Sequence, residues 1–239
     1  MKNSVLKFVP SRSSHYLHCS YFLKLSNFVN IPIDEPHIVA IQRAQQFKKL
    51  VVNRLAFRKG INLTGAKKPL DFLKPGLMSG SMNLNVNFFS IDSVSMVVGM
   101  FKPDVIETVH AGEVTEINVK SIKNTNRPER HHYLQTFVYK LALEKALKAM
   151  TIRPLKVRSS VICWSENYYP NNENENPAEF IARFSSDAFF TEFDLTDDEQ
   201  AFCLSSLHRI ASLEPKKERS ECEGCIGKLY CDAYSKMNR

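Results

Sequence analysis

Three of the six cysteines stand together near one end, in Cys222-x2-Cys225-x5-Cys231, and a fourth, Cys19, stands near the other. Spacings this short suit metal ligation, and a chain with reduced thiols has no use for a disulfide framework. Cys19 completes the set because it follows a short helix and lies beside aromatic residues that would shield a bound group. Four thiolates suit a cubane [4Fe–4S] cluster or a tetrahedral zinc ion. The plain alternative is a group of unrelated buried thiols. With Cys19 as fourth ligand the two ends of the chain must meet. Closing that loop of about 200 residues restricts the unfolded chain by a few kcal/mol in the loop-entropy picture. Cys163 and Cys203 fall in apolar strand and helix patterns and read as core.

A chain of 239 residues with 44% apolar content can bury one substantial core, so a single domain over residues 1–239 is expected. A short helix is expected near Ser11 to Cys19, with Ser11 or Ser13 as N-cap. A longer one runs over about 36–58, with Asp34 and Glu35 favouring its start, Pro36 in its first turn and Gly60 stopping it. There Ile41, Ala44, Phe47, Val51 and Leu55 recur at helical spacing. Gly, Pro and Lys dominate about 59–81, which reads as a loop. The period then shortens to two. Strands are expected at Val86–Phe89, Val94–Val98, Val105–Ile106 and Val114–Lys120, with a hairpin turn at His110-Ala111-Gly112-Glu113. A second long helix covers about 128–149, opened by Asn126 and Pro128. A strand follows over Lys156–Trp164, then a polar loop from Asn171 to Pro177. Thr196-Asp197-Asp198-Glu199 is a capping box opening a last helix to about 213. The order of elements is that of an α/β protein with a mixed sheet.

Charge is unevenly distributed around the net +7. Residues 1–75 carry 13 Lys/Arg against 3 Asp/Glu, and residues 166–199 carry 1 against 10. A basic face of this kind fits a phosphate backbone, where contact releases counterions; two solvated faces of opposite sign are the bland reading. No apolar run approaches the ~20 residues that cross a bilayer. The first residues lack the apolar stretch of a secretory signal, so a soluble, cytoplasmic protein with no membrane partner is expected.

The segment Ser11–Cys19, with the terminal Cys-x2-Cys-x5-Cys, resembles the iron–sulfur RecB-like nucleases. This group includes the CRISPR-associated RecB-like exonucleases and the AddB-type nuclease domains. The resemblance covers most of the chain, about 60–85 and 165–195 excepted. It implies a restriction-endonuclease-like PD-(D/E)XK core at about 84–164. It also implies a [4Fe–4S] cluster on Cys19, Cys222, Cys225 and Cys231 joining the terminal parts, and DNA, a helicase or another DNA-processing protein as partner. Three further matches fall in order. Gly99-Met100-Phe101-Lys102-Pro103-Asp104 looks like the strand that supplies the first metal-binding aspartate. Lys120 looks like the catalytic lysine, and Gln135-x3-Tyr139 like the Gln-x3-Tyr element of the next helix. His131, Gln135 and Tyr139 share one polar stripe.

Two positions depart from that pattern. The family has an acidic residue two before its lysine, where this chain has Asn118, and often a histidine in the first long helix, where it has Lys48. A neutral amide is a poor ligand for a hard cation, and an ammonium repels it. The resemblance implies Mg²⁺ or Mn²⁺ held by Asp104, a second carboxylate and the Val119 carbonyl, with Lys120 near the attacking water. Glu116 is the available replacement carboxylate, on the same strand face as Asn118 and Lys120 and roughly 6.6 Å from residue 118. Two functions are expected from this resemblance: a metal-dependent DNA exonuclease or single-strand nuclease, and a degraded nuclease that binds DNA or a partner enzyme.

Overall fold

Alternation along the strands divides the core in two. Ile106, Ile117, Val119, Val161 and Cys163 join one apolar cluster, while Val105, Ile122, Ile162 and Trp164 join another. Successive strand side chains point to opposite faces, so a central sheet with both faces covered follows. The computed structural model describes residues 4–31, 38–166 and 189–213, with Cys222, Cys225, Gly227, Lys228, Tyr230 and Cys231. The expected helix-opening residues Asp34, Glu35 and Pro36 and the loop Asn171–Pro177 lie outside the described residues.

The strands in chain order are β1 (Ser4–Phe8), β2 (Leu63–Gly65), β3 (Gly76–Ser79), β4 (Asn87–Ile91), β5 (Val94–Val98), β6 (Val105–Ala111), β7 (Val114–Ile122), β8 (Leu155–Trp164) and β9 (Phe190–Asp194). The helices are α1 (Ser13–His18), α2 (Tyr21–Phe28), α3 (Ile38–Lys59), α4 (Arg130–Lys148) and α5 (Asp197–Ala211). A six-stranded sheet has the order β2-β3-β6-β7-β8-β9, and a three-stranded sheet has the order β1-β5-β4. Both are mixed: β2/β3, β7/β8 and β1/β5 are parallel, and the remaining neighbours are antiparallel. Helix α4 is the crossover that the parallel β7–β8 pair requires. The fold is α/β, with mixed sheets flanked by helices.

Helix α3 covers one face of the large sheet through Phe47, Val51 and Leu55, and Phe47 stacks on Trp164 at 4.1 Å. Helix α4 covers the other through Leu134, Val138 and Ala142, in a cluster shared with α2, α5 and the small sheet. Thr196 caps α5 as its sequence requires: its Oγ accepts from the Glu199 N–H at 3.3 Å, and the Glu199 carboxylate accepts from the Thr196 N–H at 2.7 Å. Gly60 closes α3 at φ +61°, with Gly60 N–H to Phe57 O and Ile61 N–H to Ala56 O, the paired bonds of a glycine-terminated helix end.

Two expectations need correction. Ser11 and Ser13 cap nothing by side chain: Ser13 begins α1, and its hydroxyl donates to Pro10 O at 2.7 Å. Residues 59–81 hold β2 and β3, not only a loop, because Leu77 and Met78 are buried on opposite sheet faces. Strands β1 and β9 were not foreseen. Cys163 and Cys203 are core as expected.

Candidate functional site

Asp104 immediately precedes β6, and its carboxylate has two partners. Oδ1 accepts from Lys48 Nζ of α3 at 2.6 Å, and Oδ2 accepts from the Ile122 N–H at 2.7 Å. The β6–β7 register pairs Val105 with Lys120 and Ala111 with Val114. One step further along that ladder Asp104 stands opposite Ser121, not Asn118. Alternation then puts Ser121 and Lys123 on the α4 face. Lys123 Nζ donates to Gln135 Oε1 at 2.7 Å. Burial holds the Lys123 ammonium below the ordinary lysine value; the charge of Asp104 opposes that shift and the charge of Lys48 adds to it. The Ser121 hydroxyl is buried, with no hydrogen-bond partner among the described residues.

Tyr139, one turn beyond Gln135, is buried edge-on to Phe101 at 5.4 Å. Desolvation and the Asp104 charge push its hydroxyl up to about 12, against hydrogen bonds from Gln135 and the Lys102 backbone. The fold therefore brings Asp104, Gln135 and Tyr139 together with Lys48, Ser121 and Lys123. His131 borders the site: it lies 3.4 Å from Glu129 and feels the charge of Lys123.

Lys120 lies elsewhere. It is on the α3 face with a 4% exposed side chain, bonded to Glu192 and 3.2 Å from Glu107. Asn118 and Ser160 also donate to Glu192, at 3.1 and 2.6 Å, and Lys59 pairs with the other Glu107 oxygen. Burial raises the Glu107 carboxyl, but the hydrogen bond from Lys59 and the nearby lysine charges outweigh it and leave the value lowered. Glu116 does not approach Asp104; its oxygens lie 3.5 Å from Lys156 and 3.8 Å from Arg158. Val119 is an interior strand residue registered with Ile106 and Ser159, where backbone groups serve the ladders. The expected ion ligands Asp104, Glu116 and Val119 are not brought together, and the groups around Asp104 do not fit a divalent cation. An ammonium and a backbone N–H already hold its oxygens, and no second carboxylate faces it among the described residues.

Sequence reasoning missed Ser121 and Lys123. Counting outward from the turn expected at His110–Glu113 brings residue 104 beside residue 119; the turn actually lies at Gly112–Glu113, with Ala111 opposite Val114, and this register sets residue 104 beside residue 121.

The cysteines fit the expected group better. Cys19 ends α1, and its carbonyl accepts from the Phe22 N–H at 3.0 Å. Gly227 packs so closely on the Phe22 ring that a methyl group there would come within 3.0 Å of it. Cys19, Tyr230 and Cys231 all pack on the main core cluster. The N- and C-terminal cysteine segments therefore meet. Successive backbone bonds, Cys225 to Cys222, Lys228 to Cys225 and Cys231 to Gly227, wind the terminal segment into short turns. All four cysteines are partly exposed. Among the described residues no three His, Cys, Asp or Glu side chains are already gathered as a metal-ligand group, and no helix is long and apolar enough to cross a membrane. No family model, curated protein or solved structure matches the chain.

Proposed function

We propose that this chain is a RecB-like nuclease-fold protein that has lost its catalytic cation and retains nucleic-acid binding. The observation that carries the reading is the ion pair between Lys48 and Asp104. A tethered ammonium stands where a nuclease of this type needs a divalent ion, and the place of the second acid is taken by Ser121. Order along the chain supports the fold assignment. An aspartate opens one strand, Ser121-Ile122-Lys123 ends the antiparallel neighbour in the manner of an acid-x-lysine element, and Gln135-x3-Tyr139 follows on the next helix. DNA as partner is supported by the excess of 10 positive charges in residues 1–75.

Cys19, Cys222, Cys225 and Cys231 would hold a [4Fe–4S] cluster, with zinc as the competing occupant of the same thiolates. Either group, when bound, supplies a cross-link between the terminal segments that Gly227 and Phe22 already bring together. The residues themselves present four thiols, with the Phe22 ring and the Cys225 sulfur both close to Gly227.

The test is a binding and cleavage assay on anaerobically purified protein, with labelled single-stranded and duplex DNA in Mn²⁺ and in Mg²⁺. The reading expects retained DNA and no products with either ion. Ion-dependent products that vanish in Asp104→Ala and Lys123→Ala would restore the exonuclease in its place.

A further inference from the structure

Helix α3 has six basic residues, Arg43, Lys48, Lys49, Arg54, Arg58 and Lys59, and no acidic one. Lys48 and Lys59 turn to one flank and are neutralised by Asp104 and Glu107. The solvent face is different in character. Gln42, Gln46, Lys49, Asn53 and Phe57 are all exposed at helical spacing and form one continuous stripe. Phe57 is 75% exposed, far more than a ring of that size needs to be. It sits on the last turn of the helix, which the Gly60 closure fixes through the bond from Gly60 N–H to Phe57 O at 3.1 Å. The Arg54 guanidinium lies 5.1 Å from the ring centroid, while the Arg58 guanidinium is turned to the Phe190 ring, 5.1 Å from its centroid.

We infer that this stripe is a base-stacking platform for single-stranded nucleic acid, with Phe57 as the stacking ring, Lys49 and Arg54 as phosphate contacts, and the amides of Gln46 and Asn53 facing base edges. The inference rests on the nucleic-acid reading above and adds to it the strand form and the surface that selects it. An unpaired base offers its flat face to an aromatic ring; a duplex keeps those faces stacked internally. Amides and cations with no carboxylate complement a polyanion bearing hydrogen-bonding bases. A membrane-surface helix needs a broad apolar face, whereas this stripe has two large apolar side chains at its opposite ends, Ile38 and Phe57, with amides and a lysine between them.

The decisive probe pairs two single strands of equal length and charge, oligodeoxythymidine and an abasic deoxyribose-phosphate strand, measured by fluorescence anisotropy on the full chain. Wild type should bind the thymidine strand about tenfold more tightly than the abasic one, within the range one stacked base supplies. Phe57→Ala should remove that preference, leave affinity for the abasic strand unchanged and unfold at the wild-type temperature. Phe57→Trp should keep the preference, and its added fluorescence should be quenched by the thymidine strand alone. Equal binding of both strands by wild type overturns the platform, as does a Phe57→Ala variant that keeps the preference or loses affinity for both strands alike. Phe57-dependent binding to phosphatidylserine vesicles without the base preference also overturns it, in favour of a lipid surface. If wild type binds neither strand nor a duplex, the nucleic-acid reading itself falls; duplex binding without base preference sinks the platform alone.

Discussion

An ammonium 2.6 Å from a carboxylate oxygen competes with any divalent ion for the same lone pairs, and the tether to α3 keeps Lys48 at hand for that competition. The chemistry around Asp104 is therefore decided by one residue that the sequence exposed at once, since an ammonium cannot ligate a cation. The position of the lysine on β7 was harder to read. Lys120 and Lys123 both follow apolar strand residues, and only the face of the sheet separates them. Lys120 serves structure. Its removal leaves Glu107 and Glu192 without their shared cation, so Lys120→Ala should cost about 3 kcal/mol or more, as when one partner of a buried pair is deleted. Lys123→Met should be nearly neutral, because it removes an ammonium whose charged form burial already disfavours. Chemical denaturation of both variants checks the contrast, and equal losses would mean that the two lysines have been assigned to the wrong roles.

At the scale of elements, strongly periodic segments were legible and short paired ones were not. Helices α3, α4 and α5 and strands β4 to β8 carry their own periodicity or caps. Strands β2 and β3 are only three and four residues long, and neighbouring strands rather than intrinsic preference hold them. The start of α4 was read from Asn126 and Pro128, yet the first turn is fixed by His132, whose Nδ1 accepts from the Glu129 N–H at 3.1 Å. That bond needs a neutral ring, and desolvation, helped by His131 and Lys123, pushes the His132 value down to about 3. The unfolded chain takes up this proton near 6.5 and the native chain does not, so stability falls as pH drops through that interval. The slope approaches 1.4 kcal/mol per pH unit. His132→Gln keeps an acceptor at the same capping position and should flatten that loss between pH 6.5 and 4.5 in urea titrations. An unchanged acid limb would show that other groups carry it. On α5, Thr196→Ala should cost about 1 kcal/mol through the lost cap, read as a lower denaturation midpoint with unchanged slope.

For the whole molecule, the cysteine spacing announced that the two ends meet, and the packing of Gly227 on Phe22 places them together. A four-thiolate cluster gives about four irons per chain on anaerobic purification. Cys19→Ser and Cys225→Ser should lose iron and thermal stability equally; stoichiometric zinc would change the occupant, and an iron content insensitive to Cys19 would change the ligand. The basic segment 1–75 predicts that DNA affinity falls steeply with salt, by a logarithmic slope of about 0.9 per duplex phosphate neutralised; a flat titration would assign the charge to another purpose. What the sequence left unread was long-range, since neither the Lys48–Asp104 pair nor the Lys120 network joins residues near in the chain. The most direct test of the closed cation site is calorimetric titration with Mn²⁺. Wild type should show no site near Asp104 at millimolar Mn²⁺, and Lys48→Ala combined with Ser121→Asp should open a weak one. Stoichiometric Mn²⁺ binding by wild type that disappears in Asp104→Ala would contradict the account.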